Sequence, residues 1–410
     1  MSLPSLENAD WLNDPALQSV FAALNGEGVE TRAVGGAVRN ALMGLPVAEV
    51  DLATTATPEE TMRLAEAAGL KAVPTGIDHG TVTVVSGGKG FEVTTLRRDV
   101  ETDGRHATVA FTTDWAEDAK RRDFTLNALY ADRQGTVFDP LDGYADLEAG
   151  RIRFIGDAET RIKEDYLRIL RFFRFTATFG EGEIDPVGLA ACVRLRAGLA
   201  GLSAERIWAE LKRLLVAPKA CETVEILYDY GLLPGILGAA PELPQFKRLV
   251  GLEHFFELTP DAPLRLAVLG VLVTEDAERL SARFRLSRAE QAVLLLVAEA
   301  GESHRFEETH AKALLYRLGE ADYRRVLLIG WARAGEAADR AQLSALLALP
   351  ARWEVPEFPL KGEDIVALGV AAGPEVGRIL GAVEAAWIED DFADEREALL
   401  RQAEALAKGA

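Results

Sequence analysis

Two cysteines in 410 residues leave little material for a disulfide framework. Cys192 and Cys221 have no further Cys or His at metal-ligand spacing, so both read as buried thiols of a reducing cytosol. No basic start followed by an apolar run opens "MSLPSLENADWL", and no export signal is visible there. Long hydrophobic runs are missing too. "LAVLGVLV" and "AVLLLVAEA" are far too short to span a bilayer. Positive charge is scarce: 45 Lys and Arg stand against 65 Asp and Glu, a net charge of −20. That argues against a protein that coats nucleic acid generally, and leaves room for a local basic groove. The five histidines, His79, His106, His254, His304 and His310, form no adjacent His-Asp pair, which speaks against a fused phosphohydrolase. No low-complexity segment or short-period repeat occurs. What is present is a soluble, globular composition, 49% apolar and 27% charged, in a chain long enough for two to four domains.

The organisation changes near residue 150. Before it, "GTVTVV" and "FEVTTL" flank the turn-forming "SGGKG" as a β-hairpin, and "ALYADRQGTVFDP" reads as a second. Between them, "RRDVETDGRHATVAFTTDW" is polar and Gly-containing, and reads as a mobile loop. After residue 150 no strand pattern occurs. Leu- and Ala-rich helical periodicity runs to the end, broken by "LVAPKA", "ALPARWEVPEFPLKGED" and "GVAAGPEVG". The reading is an α/β head followed by a long all-helical remainder.

Within the head, "GGAVRNALMGLPVAEVDLATTATPEE" brings Gly35 and Gly36 between the short strand "TRAV" and a helix carrying Arg39. Free backbone amides beside a helix start can form an anion nest, although a plain tight turn also accounts for Gly-Gly. Glu49 and Asp51 then share one face at the start of a strand, while Val50 and Leu52 point the other way into a core. Paired carboxylates need a cation, a proton or open water. An anion nest beside such a pair suits a nucleoside triphosphate with Mg²⁺. In "RRDFTLNAL", Arg121, Arg122 and Asp123 precede an apolar run. Asp123 reads either as a helix cap or as a carboxylate for a sugar hydroxyl, with the arginines on phosphate. In "RIKEDYLRILRFFRFTATFG", helical spacing puts Tyr166, Ile169, Leu170, Phe173 and Ala177 on one face. Arg161, Glu164, Asp165, Arg168 and Arg171 fall on the other. A solvated salt-bridged face explains that stripe, yet Asp165 beside Arg168 also matches the hydrogen-bonding edge of a base.

The order Gly-Gly, acid-x-acid, "RRDFTLNAL", "EDYLRILR" and "GLSAERIWAELKRLL" resembles the class II tRNA nucleotidyltransferases, or CCA-adding enzymes, and the bacterial poly(A) polymerases that share these motifs. The likeness is detailed over the first half and weaker at "PLKGEDIVALGVAAGPEVGRIL". It implies an α+β fold: a polymerase-β-type nucleotidyltransferase head with a small mixed sheet over residues 1–150. A helical neck over 151–235, a body over 236–345 and a tail over 346–410 would follow.

By the same resemblance, Gly35, Gly36 and Arg39 would hold the triphosphate, and Glu49 and Asp51 the Mg²⁺ ions. Glu92 in "FEVTTLR" would add a third acid. Arg122, Asp123 and Asn127 would lie by the nucleotide, with Asp123 on the ribose. Asp165 and Arg168 would pair with the incoming base, positioned by Glu164 and Arg171. Glu205, Arg206 and Glu210 would brace the neck. Arg151, Arg153, Arg161, Lys163, Arg171 and Arg174 offer basic surface for tRNA phosphates. The implied reaction is attack by an RNA 3′-hydroxyl on the α-phosphate of CTP or ATP with loss of pyrophosphate, assisted by paired metal ions. Two positions depart from the family pattern: Glu49 and Asn40 stand where Asp is usual. CCA addition is preferred over poly(A) synthesis because the basic insertions of the poly(A) branch are not apparent. C-only or A-only addition and a non-catalytic RNA-binding role are the alternatives. A monomer without membrane association is expected.

Overall fold

The computed structural model describes residues 3–26, 28–103, 106–300, 307–335 and 339–408; for residues 78, 99–103 and 106–109 it describes the backbone alone. The chain divides into two compact units, Met1–Ile236 and Leu237–Ala410.

The first unit begins with α1 (Pro15–Leu24), whose start is fixed by Asp14 accepting from the Ala16 amide at 2.8 Å and by Pro15 at the first helical position. Leu17, Val20, Phe21 and Leu24 recur at helical spacing and are fully buried. The strands follow: β1 (Thr31–Val34), β2 (Asp51–Thr54), β3 (Lys71–Gly76), β4 (Thr81–Ser86) and β5 (Lys89–Thr95), then β8 (Tyr130–Ala131) and β9 (Val137–Phe138) after the β6–β7 pair described below. They form one sheet in the order β3-β4-β5-β2-β1-β8-β9. It is mixed: β2 and β5 run parallel and the remaining neighbours antiparallel. Both expected hairpins are present. In the first, Gly87 and Gly88 carry φ of 56° and 78°, the left-handed pair that a two-residue turn between β4 and β5 requires. Helices α2 (Gly36–Leu42) and α3 (Pro58–Ala67) follow β1 and β2.

The stretch read as a mobile loop is instead a two-stranded sheet, β6 (Arg97–Asp103) with β7 (His106–Phe111). The Leu96 amide donates to the Thr54 carbonyl at 2.8 Å and the Thr112 amide to the Leu96 carbonyl at 2.9 Å, which closes the base of this pair.

Helices α4 (Trp115–Lys120) and α5 (Gly143–Glu148) complete the head, and α6 (Ala158–Glu164), α7 (Leu167–Phe179), α8 (Pro186–Arg194), α9 (Ala204–Leu215) and α10 (Ala220–Asp229) continue it. No strand follows β9 among the described residues. An aromatic cluster joins the sheet side to α7. Phe124 lies 4.8 Å from Phe154 and 5.2 Å from Phe175, and Phe154 stacks on Phe172 at 5.4 Å. The helix expected to run unbroken through residues 161–177 is two helices. Asp165 takes extended backbone angles between α6 and α7, and its carboxylate accepts from the Leu167 amide at 3.0 Å.

The second unit has helices and no strand among its described residues, from Leu243–Phe255 to Arg396–Lys408. Its nearly buried Arg265–Glu253 pair is joined at 2.6 Å. Its last segment packs Ile365, Ile379, Val383, Trp387 and Leu399. Among the described residues no helix is long and apolar enough to cross a membrane. Cys192 is buried as expected, whereas Cys221 is only half-buried.

Candidate active site

A cleft of about 630 Å³ in the first unit gathers side chains from β1, α2, β2, β5, the Arg121–Asn127 segment, α7 and α9. One wall is the turn after β1. Gly35 has φ 68° and ψ −118°, a conformation only glycine holds without strain. Arg39 is buried one turn on. It donates to Asn127 Oδ1 at 2.6 Å and through Nη2 to Asn40 Oδ1 at 2.8 Å, and its face lies 4.3 Å from the Phe179 ring. Burial first, then the nearby Arg174, pull its pKa down to about 10, against the pull of Asp123. The side chains that hold Arg39 are therefore neutral amides. This gives the Asn40 departure a physical content: the amide keeps Arg39 in place without neutralising it, and its own Nδ2 donates to the Pro46 carbonyl at 3.0 Å.

The carboxylates come next. Leu52 pairs with Val93 in the parallel β2–β5 ladder, so Asp51 and Glu92, one residue earlier on each strand, stand side by side and line the cleft. Glu49 differs from the expectation. The strand begins at Asp51, and Glu49 is exposed on the segment before it, outside the cleft lining. Leu52 is buried, but Val50 is only half-buried. Desolvation by the cleft wall pushes the Asp51 carboxyl above the ordinary aspartate range; Glu92 and then Glu49 push the same way, against Arg122. Among the described residues no three His, Cys, Asp or Glu side chains converge into a ready-made cage. The donor chemistry still fits a hard divalent cation, whose charge would relieve the repulsion that burdens Asp51.

Arg121, Arg122 and Asp123 also line the cleft. The expected capped helix is a short 3₁₀ turn, Thr125–Asn127. Asp123 Oδ1 accepts from the Phe124 amide at 2.9 Å and from Asn127 Nδ2 at 3.0 Å, while Oδ2 accepts from Arg171 Nε at 2.7 Å. Burial pushes Asp123 up, but Arg171, Asn127 and the Phe124 amide outweigh it and hold the carboxylate ionised below its usual range. Bridges from the Thr125 amide to the Arg153 carbonyl at 3.1 Å and from the Ile155 amide to the Asp123 carbonyl at 3.0 Å fix this segment.

Asp165 and Arg168 both line the cleft. Glu164 pairs with Arg168, which also donates to the Arg161 carbonyl at 2.8 Å. Arg171 also lines the cleft, where it binds Asp123, lies 3.6 Å from Glu210 and feels the Asp165 charge. Asp165 is held by Arg206 Nη2 at 2.6 Å, so a residue expected only to brace the neck reaches the cleft. Glu210 does brace, nearly buried and paired with Arg174. Arg174 is accordingly no surface group. It stacks 4.3 Å over Phe175, between Glu210 and the neck interior. Arg161 is likewise mostly covered, at 3.1 Å from Glu164. Arg151, Arg153 and Lys163 are exposed, near Asp146, Asp146 and Glu159 respectively.

Sequence reasoning missed Asp118, fully buried against both Arg121 and Arg122. The signal was the i, i+3 and i, i+4 spacing to those arginines across the end of α4. His79 and Arg97 also line the cleft and were not singled out.

Residues 31–153 match the model of the poly A polymerase head domain, and residues 183–246 that of the probable RNA and SrmB-binding site of polymerase A. The mitochondrial CCA tRNA nucleotidyltransferase 1 of Mus musculus is 36% identical over 402 residues, which is 95% of this chain and 92% of that protein. The chain belongs to the class II CCA-adding tRNA nucleotidyltransferase family. The CCA-adding enzyme of Leuconostoc citreum (strain KM20) is 30% identical over 404 residues, covering 95% of each chain. The crystal structure of the Bacillus stearothermophilus CCA-adding enzyme in complex with CTP aligns with a TM-score of 0.74 at 28% identity, over 96% of this chain and 98% of that one. The mixed sheet is thus the polymerase-β-type head of a CCA-adding family member, with helical regions after it. Nucleotidyl transfer is its reaction class, and the family's chemistry depends on a divalent cation.

Proposed function

We propose that this CCA-adding family member builds or repairs the C-C-A end of tRNA from CTP and ATP, without a nucleic-acid template. The observation that carries the reading is one cleft joining paired carboxylates, an arginine wall and an acid–arginine pair for the base. Full-length relatives named for CCA addition support it. The RNA 3′-hydroxyl attacks the α-phosphate in line and pyrophosphate leaves, so catalysis is chiefly position and charge. Gly35, Gly36, Arg39 and Arg122 take the triphosphate. Asp123, kept ionised, accepts from ribose hydroxyls, and Asn127 fixes both Asp123 and Arg39. Mg²⁺, held by Asp51 with Glu92 beside it and Glu49 as the outer ligand, would supply Lewis-acid stabilisation of the reacting oxygens.

Asp165 accepts from the exocyclic amino group shared by cytosine and adenine, and Arg168 donates to the adjacent ring nitrogen. Uracil and guanine present the reverse pattern. Arg151, Arg153 and Lys163 meet tRNA phosphates, together with helical surface of the proposed body (236–345) and tail (346–410). Residues 1–150 act as head and 151–235 as neck. The protein works as a monomer in the cytosol, a placement that rests on its scarcity of cysteine, two in 410 residues.

Supplying a tRNA that lacks its last three nucleotides with CTP or ATP singly and together tests the reading. Two residues added from CTP, and a third only when ATP is also present, support it. Long A tracts on unrelated RNA would instead mark a poly(A) polymerase.

A further inference from the structure

Asp118 is a fully buried carboxylate beside the cleft that the reaction itself does not use. It lies on α4, outside the cleft lining, and serves side chains that are inside it. Oδ1 accepts from Arg121 Nε at 2.8 Å, with Arg121 Nη2 at 2.6 Å. Oδ2 accepts from Arg122 Nη2 at 3.0 Å and Nε at 3.2 Å, and from Tyr130 Oη at 2.8 Å. The Arg97 amide, at the start of β6, points to Oδ1 at 3.5 Å.

Each guanidinium is thus gripped along its Nε–Nη2 edge, and the grip leaves Nη1 for other partners. For Arg122 that end is aimed: Nη1 lies 3.8 Å from where a Cβ on Gly35 would stand. It therefore borders the backbone turn proposed to receive phosphate. The charge balance has the same sense. One carboxylate shared by two arginines leaves a unit of positive charge at this wall, and Arg39 across from it is held by amides.

We propose that Asp118 is the positioning residue for the pyrophosphate-facing arginines, orienting Arg121 and Arg122 so that their free ends meet the β- and γ-phosphates of either nucleotide. The proposal rests on the nucleotidyl-transfer reading of the cleft. It adds that one buried carboxylate governs triphosphate affinity and has no part in base choice. Burial pushes Asp118 up, but Arg122 and Arg121 override it and keep the carboxylate ionised. The grip therefore persists at neutral pH.

Inorganic pyrophosphate, which lacks both base and ribose, is the probe. Its binding to the full chain is measured by calorimetry at fixed Mg²⁺, beside kcat and KM for CTP and ATP. Asp118→Asn keeps the shape and removes the charge. Pyrophosphate affinity is expected to fall at least tenfold, and kcat/KM to fall by one common factor for CTP and ATP, chiefly through KM. Combining Asp118→Asn with Arg122→Lys is expected to cost little more than the larger single effect, since Asp118 acts through that side chain. Asp118→Glu, which keeps the charge one methylene away, is expected to recover part of the affinity.

A folded Asp118→Asn protein that binds pyrophosphate within twofold of the parent overturns the proposal, as do unequal losses for the two nucleotides. Should Asp118→Asn not fold, Asp118→Glu decides: threefold or weaker pyrophosphate binding supports the positioning role, and unchanged binding refutes it. A parent that adds no nucleotide yet binds pyrophosphate through Asp118 would sink the enzyme reading and leave the arginine grip standing.

Discussion

At the scale of single residues, Asp51 and Glu49 were expected on one strand face as metal ligands, Asp51 shared and Glu49 outer, and only their sequence spacing was legible. Spacing does not say where a strand begins. The sheet starts at Asp51, so the partner that register sets beside it is Glu92; Glu49, exposed like both, lies before the strand and outside the cleft lining. Asp51→Ala should abolish nucleotide addition while leaving thermal stability at least equal to the parent. The sign follows from linkage. The folded pKa of Asp51 is raised, so its ionised form weakens the fold once pH rises above the ordinary aspartate value. Asp51→Asn should therefore stabilise the protein at pH 7, with the gain vanishing under acid; melting curves across pH check this. Glu49→Asp should keep substantial activity and Glu49→Gln lose most of it, read as addition rate at limiting Mg²⁺. A normal rate in Glu49→Gln would remove Glu49 from the ligand set. Asp165→Ala should relax exclusion of UTP and GTP. The discrimination lost should be about 10- to 100-fold, from roughly 1–3 kcal/mol per buried group left unpaired. Unchanged selectivity would move base choice elsewhere, with Arg206 no longer relevant as the partner of Asp165.

At the scale of elements, both hairpins of the main sheet were legible because Gly-rich turns separate alternating or apolar runs. The β6–β7 pair was not, since the segment is polar and Gly-containing and, among the described residues, each strand pairs only with the other. The break between α6 and α7 was hidden for a different reason. A single extended residue, Asp165, interrupts the helix, and apolar spacing resumes straight after it. The reading of one charged helix face therefore listed the right residues, with Glu164 on Arg168, but not all their partners: Arg171 also binds Asp123, and Arg206 arrives from α9. The ion pairs of the buried Asp118 and Asp123 tie α4, the Asp123 segment and α7 together, and they carry a pH signature. Asp118 and Asp123 both have lowered pKa values. Their contribution is complete above the ordinary aspartate value of about 3.9 and is lost as pH falls through the lower folded values. Acid denaturation should steepen there, and Asp123→Asn should flatten the curve below about pH 4 while lowering stability at pH 7 by roughly 3–5 kcal/mol. A variant with the parent's acid profile would show that Asp123 is not held as described.

At the scale of the whole molecule, a chain of net charge −20 has to meet RNA through local basic surface. Arg151 and Arg153 share the buried Asp146, so one charge of the two is left over on an exposed edge. Replacing both with Ala should weaken tRNA binding and lower the slope of log affinity against log salt by roughly one per lost phosphate contact. An unchanged slope would place the RNA on other surface. The head and its motifs were legible in sequence because phosphate, cation and base each demand particular side chains at fixed points of a small sheet. The helical remainder gave periodicity and breaks, but periodicity names a buried face and not its partner. By the proposed function, one cleft selects C and A in order on a tRNA end. Sequencing the 3′ ends made on a tRNA lacking its last three nucleotides, with all four nucleoside triphosphates present together, is the decisive measurement. Ends reading C-C-A, with addition stopping there, are predicted; A tracts, mixed bases or unextended ends would contradict it.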